Sequence, residues 1–183
     1  MAAAAGGGMN DANLAIARAI VVACAALAVA WPRPGAAGDG GSRGENYALN
    51  RPATASPICK PGEEAGKAFD GRLSSKTEHK YCTLQRPAWL QVDLQQRRRV
   101  REFVLKHAGA GGEPAAMNTR AYALSLSDDG EHWRPAVRVR DNRRSVRRHA
   151  IAPTWARYVR LEVSEPAQAP ADPATRIYEL EVR

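Results

Sequence analysis

Four polar side chains flank a glycine-rich loop near the middle of the 183-residue chain. His107 opens the loop, Glu113 closes it, and Asn118 and Arg120 follow. Imidazole, carboxylate, amide and guanidinium groups are planar, and they can hydrogen-bond pairs of hydroxyl groups. A loop with little side-chain bulk at the end of a rigid element is a common place for a binding site. The alternative is that His107 caps a strand and Asn118 organises the turn that follows.

The segments around this loop predict the sheet that must position it. Apolar residues alternate with polar ones before the loop, which is the period of a half-buried strand. Turn signals such as 127–130 separate such runs at intervals of roughly 8–12 residues, as in β-sandwiches and barrels. Helix signals are nearly absent, apart from one turn at 63–69. The predicted strands lie at 88–94, 100–105, 122–126, 133–139, 149–151, 159–163 and 178–182.

The residues that could support catalysis are scattered. His79, His107, His132 and His149 fall in separate predicted elements. The chain has neither a nucleophile elbow nor a metalloprotease helix motif. The sequence therefore predicts a protein that is not an enzyme, and Trp89 and Trp133 are expected in its core.

The first 37 residues have the layout of a signal peptide. Arg18 precedes an uncharged apolar run at 19–31, and prolines and small residues follow it. This run is shorter than the ~20 residues of a membrane span. Cleavage after Ala37 is expected, with Ala30 as the alternative, and 38–45 forms a flexible leader. Cys24 in a lipobox-like context offers lipid anchoring as a second possibility. The mature protein is therefore expected to be secreted.

Two cysteines remain after cleavage, Cys59 and Cys82. An even pair in a secreted chain indicates a disulfide. The alternative is a pair of free, buried thiols. Zinc is not expected, because no second cysteine pair and no closely spaced histidines are present.

The net charge is +8, and +7 remains after the first 37 residues, which carry Arg18, Arg33 and Asp11. A basic surface favours anionic partners such as an acidic polysaccharide, an anionic lipid or a nucleic acid, although no specific nucleic-acid partner is expected. The alternative is an arginine-rich composition that merely solvates strand faces. The arginines cluster at 97–99 and 101, and at 138, 140, 143, 144, 147 and 148.

Several segments, taken in order, resemble the discoidin domain, also called the coagulation factor V/VIII C-type domain. The resemblance begins with Asn-Tyr-Ala-Leu-Asn-Arg-Pro-Ala-Thr-Ala-Ser at 46–56 and covers residues 46–183. Each segment is weak alone, and their common order makes the resemblance specific. The further segments are 68–71, 89–94, 127–133, 156–161 and 177–182.

The resemblance implies an all-β fold, an antiparallel jelly-roll β-sandwich (galactose-binding-domain-like) of about eight strands. Bacterial members are often carbohydrate-binding modules of the family 32 type, which bind through loops at one end. The expected function is thus a secreted, monomeric, non-catalytic, lectin-like module that binds glycan. The alternative is an adhesion protein whose basic face docks on an anionic polysaccharide or membrane.

The resemblance also implies site residues. The carbohydrate ligands would be His107, Glu113, Asn118 and Arg120, with Tyr81 in the place of a family tryptophan. Galactose is not the expected sugar, because Gly109 to Gly111 (Gly-Ala-Gly) stand where galactose-binding members carry an arginine.

A structural calcium site is implied as well, formed by Ala68, Asp70 and Glu179. His79 stands where the family offers an oxygen ligand. The alternative is that Asp70 only shapes an Asp-Gly turn and that Glu179 pairs with an arginine.

Overall fold

The computed structural model describes residues 44–73 and 78–183. Within these ranges it forms seven strands and three short 3₁₀ turns, Ala65–Phe69, Ala108–Gly111 and Ala115–Met117. All strand pairings are antiparallel, so the all-β prediction is confirmed. The strands are β1 (Ala53–Ala55), β2 (Tyr81–Thr83), β3 (Ala88–His107), β4 (Ala121–Ser127), β5 (Arg134–Val139), β6 (Val146–Glu165) and β7 (Thr175–Val182).

The predicted signal peptide and the possible lipid anchor at Cys24 lie outside the described residues. None of the helical turns in the described ranges has the length and apolarity that a membrane crossing requires.

The two 20-residue strands, β3 and β6, contribute to both layers of the sandwich. The first part of β3 pairs with β1 and with the second part of β6, which also pairs with β4. The second part of β3 pairs with the first part of β6 and with β7. The layers are therefore β1-β3-β6-β4-β5 and β2-β7-β3-β6.

This continuity explains why the described part of the chain has seven strands rather than about eight. The segments predicted as separate strands at 88–94 and 100–105 both belong to β3. The register shifts between Asp93 and Arg98, where Gln95 takes a left-handed φ of 66°. The Gln95 N–H donates to Asp93 Oδ1 at 2.7 Å, which stabilises the bend. The chain thus changes layer at a local irregularity without a loop.

The predicted apolar faces of the strands form the core between the layers. Leu90, Val92 and Leu94 are at most 1% exposed and pack with Leu161 and Phe103. Burial of each such side chain contributes about 1.5–3 kcal/mol. The prediction that Trp89 and Trp133 lie in the core is wrong, since both are partly exposed. They lie beside a cation, Arg160, instead.

The segment 46–59, which contains β1, is fastened to the rest of the sandwich at two places. The predicted disulfide is present between Cys59 and Cys82, whose Cα atoms are 5.4 Å apart. The Tyr47 N–H donates to the Val182 carbonyl at 2.7 Å, and the Val182 N–H donates to Asn46 Oδ1 at 3.0 Å. These contacts hold the segment against β2 and β7, so the loops that it carries have a fixed base.

Candidate functional site

The glycine-rich loop after β3 is folded down onto β7. A Cβ atom at Gly111 would overlap the ring of Tyr178, and one at Gly109 would overlap the hydroxyl group of Ser145. Glycine is therefore required at Gly111 by the close approach of an aromatic ring. This packing gives a physical reason for the absence of a large side chain in this loop.

A single methyl group at Gly111 is expected to destabilise the protein. Gly111→Ala forces the Tyr178 ring to move, and overpacking of this kind costs about 1–3 kcal/mol. Gly66→Ala is the matched control, because a Cβ atom there has no neighbour within 4 Å. Urea unfolding of both variants measures the difference. Equal stability of the two variants would show that the loop is not packed as described.

His107 is fully buried at the end of β3. Neither ring nitrogen has a hydrogen-bond partner among the described residues, and the ring lies 5.5 Å from that of Tyr122. Burial lowers the pKa of His107 to about 3, and the charges of His149 and Arg147 act in the same direction. The imidazole is therefore neutral at physiological pH, and it has no surface that a ligand in solvent could reach.

Glu113 belongs to a largely buried ion network below the loop. Its Oε1 accepts a hydrogen bond from the Tyr178 hydroxyl at 2.6 Å and lies 3.1 Å from Lys80 Nζ. Its Oε2 lies 3.1 Å from Arg176 Nε. Lys80 also lies 3.2 Å from Glu63, and only 3% of the Lys80 side chain is exposed. Glu113 thus ties the loop to β7 and to the disulfide-linked segment.

Asn118 is fully buried and organises the turn into β4. Its Oδ1 accepts from the Gly109 N–H at 2.7 Å, and its Nδ2 donates to Ser145 Oγ at 3.2 Å. This is the structural role that the sequence offered as the alternative to ligand contact. The side chain joins the glycine-rich loop to the segment before β6.

Tyr81 lies in the core with 1% of its surface exposed. Its hydroxyl donates to the carbonyl oxygens of Ser56 and Trp89 at 3.1 and 3.2 Å. Burial raises the pKa of this hydroxyl. The ring faces that a sugar would stack on are therefore covered by protein.

Among the five predicted ligands, Arg120 has the most exposed side chain, and 40% of its surface is open to solvent. Its Nε lies 3.2 Å from Asp141 Oδ1, and Arg143 Nε lies 3.1 Å from Asp141 Oδ2. The hydrogen bond from Arg143 lowers the pKa of Asp141, and Arg120 adds to this effect. Arg120, Asp141 and Arg143 form an exposed group of planar polar side chains, the loop-end cluster.

Sequence reasoning missed Asp141 and Arg143 because they follow β5, and Asp141 is 21 residues after Arg120. The signal that could have found them is the polar segment Arg140–Arg144 between two strands. Asn142, buried beneath it, donates to the carbonyl of Thr119 at 2.8 Å, and its N–H donates to the carbonyl of Arg120 at 2.7 Å. These bonds bring the two loops to the same end of the sandwich.

The two carboxylates of the predicted calcium site, Asp70 and Glu179, lie near each other. The Gly71 N–H donates to Glu179 Oε2 at 3.1 Å, and Asp70 Oδ2 lies 3.0 Å from His79 Nδ1. The Arg72 N–H donates to Asp70 Oδ1, which is the Asp-Gly turn offered as the alternative. Ala68 is fully buried just before this turn.

The electrostatics of this group suit a hard cation. Burial raises the pKa of Glu179 to about 7, with Lys106 opposing and the Asp70 carboxylate adding to the shift. Two neighbouring carboxylates, one of them only 2% exposed, are the oxygen donors that Ca²⁺ prefers. The residues present therefore fit calcium in the chemistry of their donor atoms.

Comparison with known proteins identifies the fold. The F5/8 type C domain pattern matches residues 52–180. The family 32 carbohydrate-binding module of EndoD from Streptococcus pneumoniae is similar, with 28% sequence identity and a TM-score of 0.68. The alignment covers 76% of this chain and 99% of that module. A search of curated proteins finds no match.

Two further solved structures are similar. Chitosan-binding module 1 of a chitosanase/glucanase from Paenibacillus sp. IK-5 has 25% identity and a TM-score of 0.63, covering 76% of this chain and 98% of that one. The lectin domain of lectinolysin, solved with Lewis B antigen, has 21% identity and a TM-score of 0.66, covering 78% and 98%. At this identity the lectin domain supports the fold alone.

These comparisons confirm the resemblance, the antiparallel sandwich and the prediction that the domain is a binding module rather than an enzyme. The chain belongs to the F5/8 type C, or discoidin, domain family.

Proposed function

We propose that the protein is a secreted, non-catalytic module that binds glycan through the loops at one end of its sandwich. The observation that carries the proposal is the similarity to the EndoD family 32 module, 99% of which aligns with this chain. The whole of a glycan-binding module therefore has a counterpart here. The disulfide between Cys59 and Cys82 supports export, because such bonds persist in oxidising compartments.

The loop-end cluster is the proposed contact surface. Its two guanidinium groups and one carboxylate offer donors and acceptors in fixed planes, which suits pairs of sugar hydroxyl groups. Arg120 is 40% exposed, Asp141 47% and Arg143 76%, so all three are open to solvent. The salt bridges orient these side chains before a ligand arrives, which lowers the entropic cost of binding.

The buried residues that were predicted as ligands support this surface from below. Asn118 holds the turn before Arg120, and Glu113 anchors the glycine-rich loop to β7. Gln168 joins a third loop to the same end, since its N–H donates to the Ala116 carbonyl at 2.9 Å. We propose that these residues act on binding by positioning the loops, and that the module works as a monomer.

The proposal is tested by a glycan-array screen of the purified protein, followed by titration of the glycans that bind. Arg120→Ala and Asp141→Asn are each expected to weaken binding about tenfold or more, because hydrogen bonds to charged groups contribute about 1.5–3 kcal/mol. Arg99→Ala, an exposed arginine of β3, is the control and should bind as the wild type does. Binding to no glycan at all would overturn the function. Glycan binding that both cluster variants retain would overturn the site.

We further propose that the Asp70 and Glu179 carboxylates and the Ala68 carbonyl hold a structural calcium ion. The ion would neutralise the Glu179 carboxylate, because burial disfavours the charge of this group. It would thereby fix the Asp70–Gly71 turn against β7, and it would take no direct part in sugar contact.

A further inference from the structure

A groove of about 650 Å³ crosses the outer face of the five-stranded layer. This volume lies within the roughly 300–1,000 Å³ that small-ligand sites occupy. The groove begins at Glu165, which lies 3.5 Å from Arg120 Nη1 of the loop-end cluster. It extends over β4, β5 and β6 to Trp89 at the start of β3. The loop-end cluster thus borders one end of a longer polar surface.

Two cations on one wall of the groove have no acidic partner among the described residues. Arg138 and Arg140 are both exposed; Arg138 lies on β5, and Arg140 is the first residue after that strand. Both residues line the groove, which brings their side chains to the same surface. By contrast, both acidic groups of the lining have a cation nearby. Glu165 is paired with Arg120, and Glu162 lies 3.8 Å from Arg160.

A third guanidinium group is held rigidly on the floor of the groove. Arg160 lies 4.8 Å from the centre of the Trp89 ring and 5.6 Å from that of Trp133. Contact with two indole rings orients the guanidinium group and stabilises its charge by cation–π attraction. The side chain remains 27% exposed, so part of it faces the groove. The lining therefore presents three arginines, two of them uncompensated.

We propose that this groove binds an acidic oligosaccharide, with Arg138 and Arg140 pairing with its carboxylate or sulfate groups. Guanidinium groups form bidentate hydrogen bonds with such anions. The groove is concave, which suits an extended chain better than a flat membrane. Single-stranded nucleic acid is disfavoured, because the Trp89 ring on which a base would stack already carries Arg160. This site borders the loop-end cluster but shares no side chain with it, and its acidic ligand goes beyond the proposed function.

The test is titration of the purified protein with tetragalacturonate, with its methyl ester, and with a heparin tetrasaccharide. At least one acidic probe is expected to bind, and the neutral methyl ester should bind at least tenfold more weakly than tetragalacturonate if the latter binds. Arg138→Glu and Arg140→Glu should each weaken binding of the acidic probe roughly tenfold or more. Arg99→Glu is the control, because it makes the same change of charge at an exposed position on β3. Thermal unfolding of each variant verifies that the fold is kept.

Failure of this inference differs from failure of the proposed function. If neither acidic probe binds, or if both groove variants match Arg99→Glu, the groove proposal is overturned, even where the array finds glycans that depend on Asp141. Binding of anionic vesicles or of oligothymidylate that is lost in Arg138→Glu, without binding of either acidic sugar, overturns it also. Loss of acidic-sugar binding in the groove variants alone supports it.

Discussion

Replacement of Lys80 by methionine is expected to destabilise the protein by about 3–5 kcal/mol. The ammonium group lies between Glu63 and Glu113, at 3.2 and 3.1 Å, and only 3% of the side chain is exposed. Methionine keeps much of the apolar stem but leaves two largely buried carboxylates without the cation that they share. Breaking a buried pair by removing one partner has a cost of this size.

A matched control is present at Lys60, which lies 3.9 Å from the same Glu63 carboxylate but is 62% exposed. Lys60→Met should change the free energy of unfolding by less than about 1 kcal/mol, because exposed ion pairs contribute little. Urea unfolding at neutral pH measures both variants. If Lys80→Met were no less stable than Lys60→Met, the buried network would not anchor the loops.

The network also connects stability with the binding surface. Glu63 lies between the disulfide-linked cysteines in sequence, and the Cys82 N–H donates to its carbonyl. Glu113 closes the glycine-rich loop and is bound by Tyr178 and Lys80. The ammonium group of Lys80 therefore joins the disulfide-linked segment to the glycine-rich loop. We expect Lys80→Met to weaken glycan binding as well, through displacement of that loop.

Glu179→Gln is expected to stabilise the calcium-free protein at pH 8, by up to about 3 kcal/mol. The folded-state pKa of Glu179 is raised to about 7 from an ordinary value of 4.5. Below pH 4.5 the group is protonated in both states, so its contribution to stability is fully present there. Between pH 4.5 and 7 the unfolded state ionises first, and stability falls as the pH rises. The difference of about 2.5 pKa units corresponds to about 3 kcal/mol.

Thermal unfolding between pH 4 and 8 tests this dependence. The gain in Tm of Glu179→Gln over the wild type should vanish near pH 4 and reach its maximum above pH 7. Glu181→Gln is the control, and it is expected to lower the stability of the protein at pH 8. Burial raises the pKa of Glu181, but hydrogen bonds from Lys106 and Arg183 outweigh burial and lower it. A pH-independent effect of Glu179→Gln would contradict the raised pKa.

Calcium should make the wild type more stable than Glu179→Gln at pH 8, which reverses their order in its absence. A cation between Asp70 and Glu179 stabilises the ionised carboxylate, and binding to the folded state alone raises its stability. Added Ca²⁺ is therefore expected to raise the Tm of the wild type at pH 8 and to leave that of Glu179→Gln nearly unchanged. An unchanged wild-type Tm in Ca²⁺ and in chelator would contradict the calcium proposal.

The sequence was sufficient to predict the fold class, because alternation of apolar residues is a local signal. Leu90, Val92 and Leu94 lie in the core as their period predicts. The disulfide was predictable from two cysteines that follow a predicted signal peptide. The continuity of β3 was not, since it depends on a bend at Gln95 that directs the strand into the second layer. The outward position of Trp89 escaped prediction because Arg160, which contacts its ring, lies on the neighbouring strand β6 but is distant in sequence.

The site was harder to predict than the fold. Polar residues beside a glycine-rich loop indicate a special environment, but they do not distinguish ligand contact from support of the loop. His107 and Asn118 are both fully buried, and their surroundings come from β4 and the segment before β6. Asp141 reaches Arg120 only because two separate loops meet at one end of the sandwich. Such pairings depend on tertiary contacts that no local pattern records.

The most direct test of the central claim is a nuclear magnetic resonance titration of the isotope-labelled protein with a glycan found by array. Binding at the loop end predicts concentration-dependent shifts of the amide signals around Arg120, Asp141 and Arg143. The signals of the core strands around Leu90 should stay in place. No shift at millimolar glycan, or shifts confined to the opposite end of the sandwich, would contradict the account.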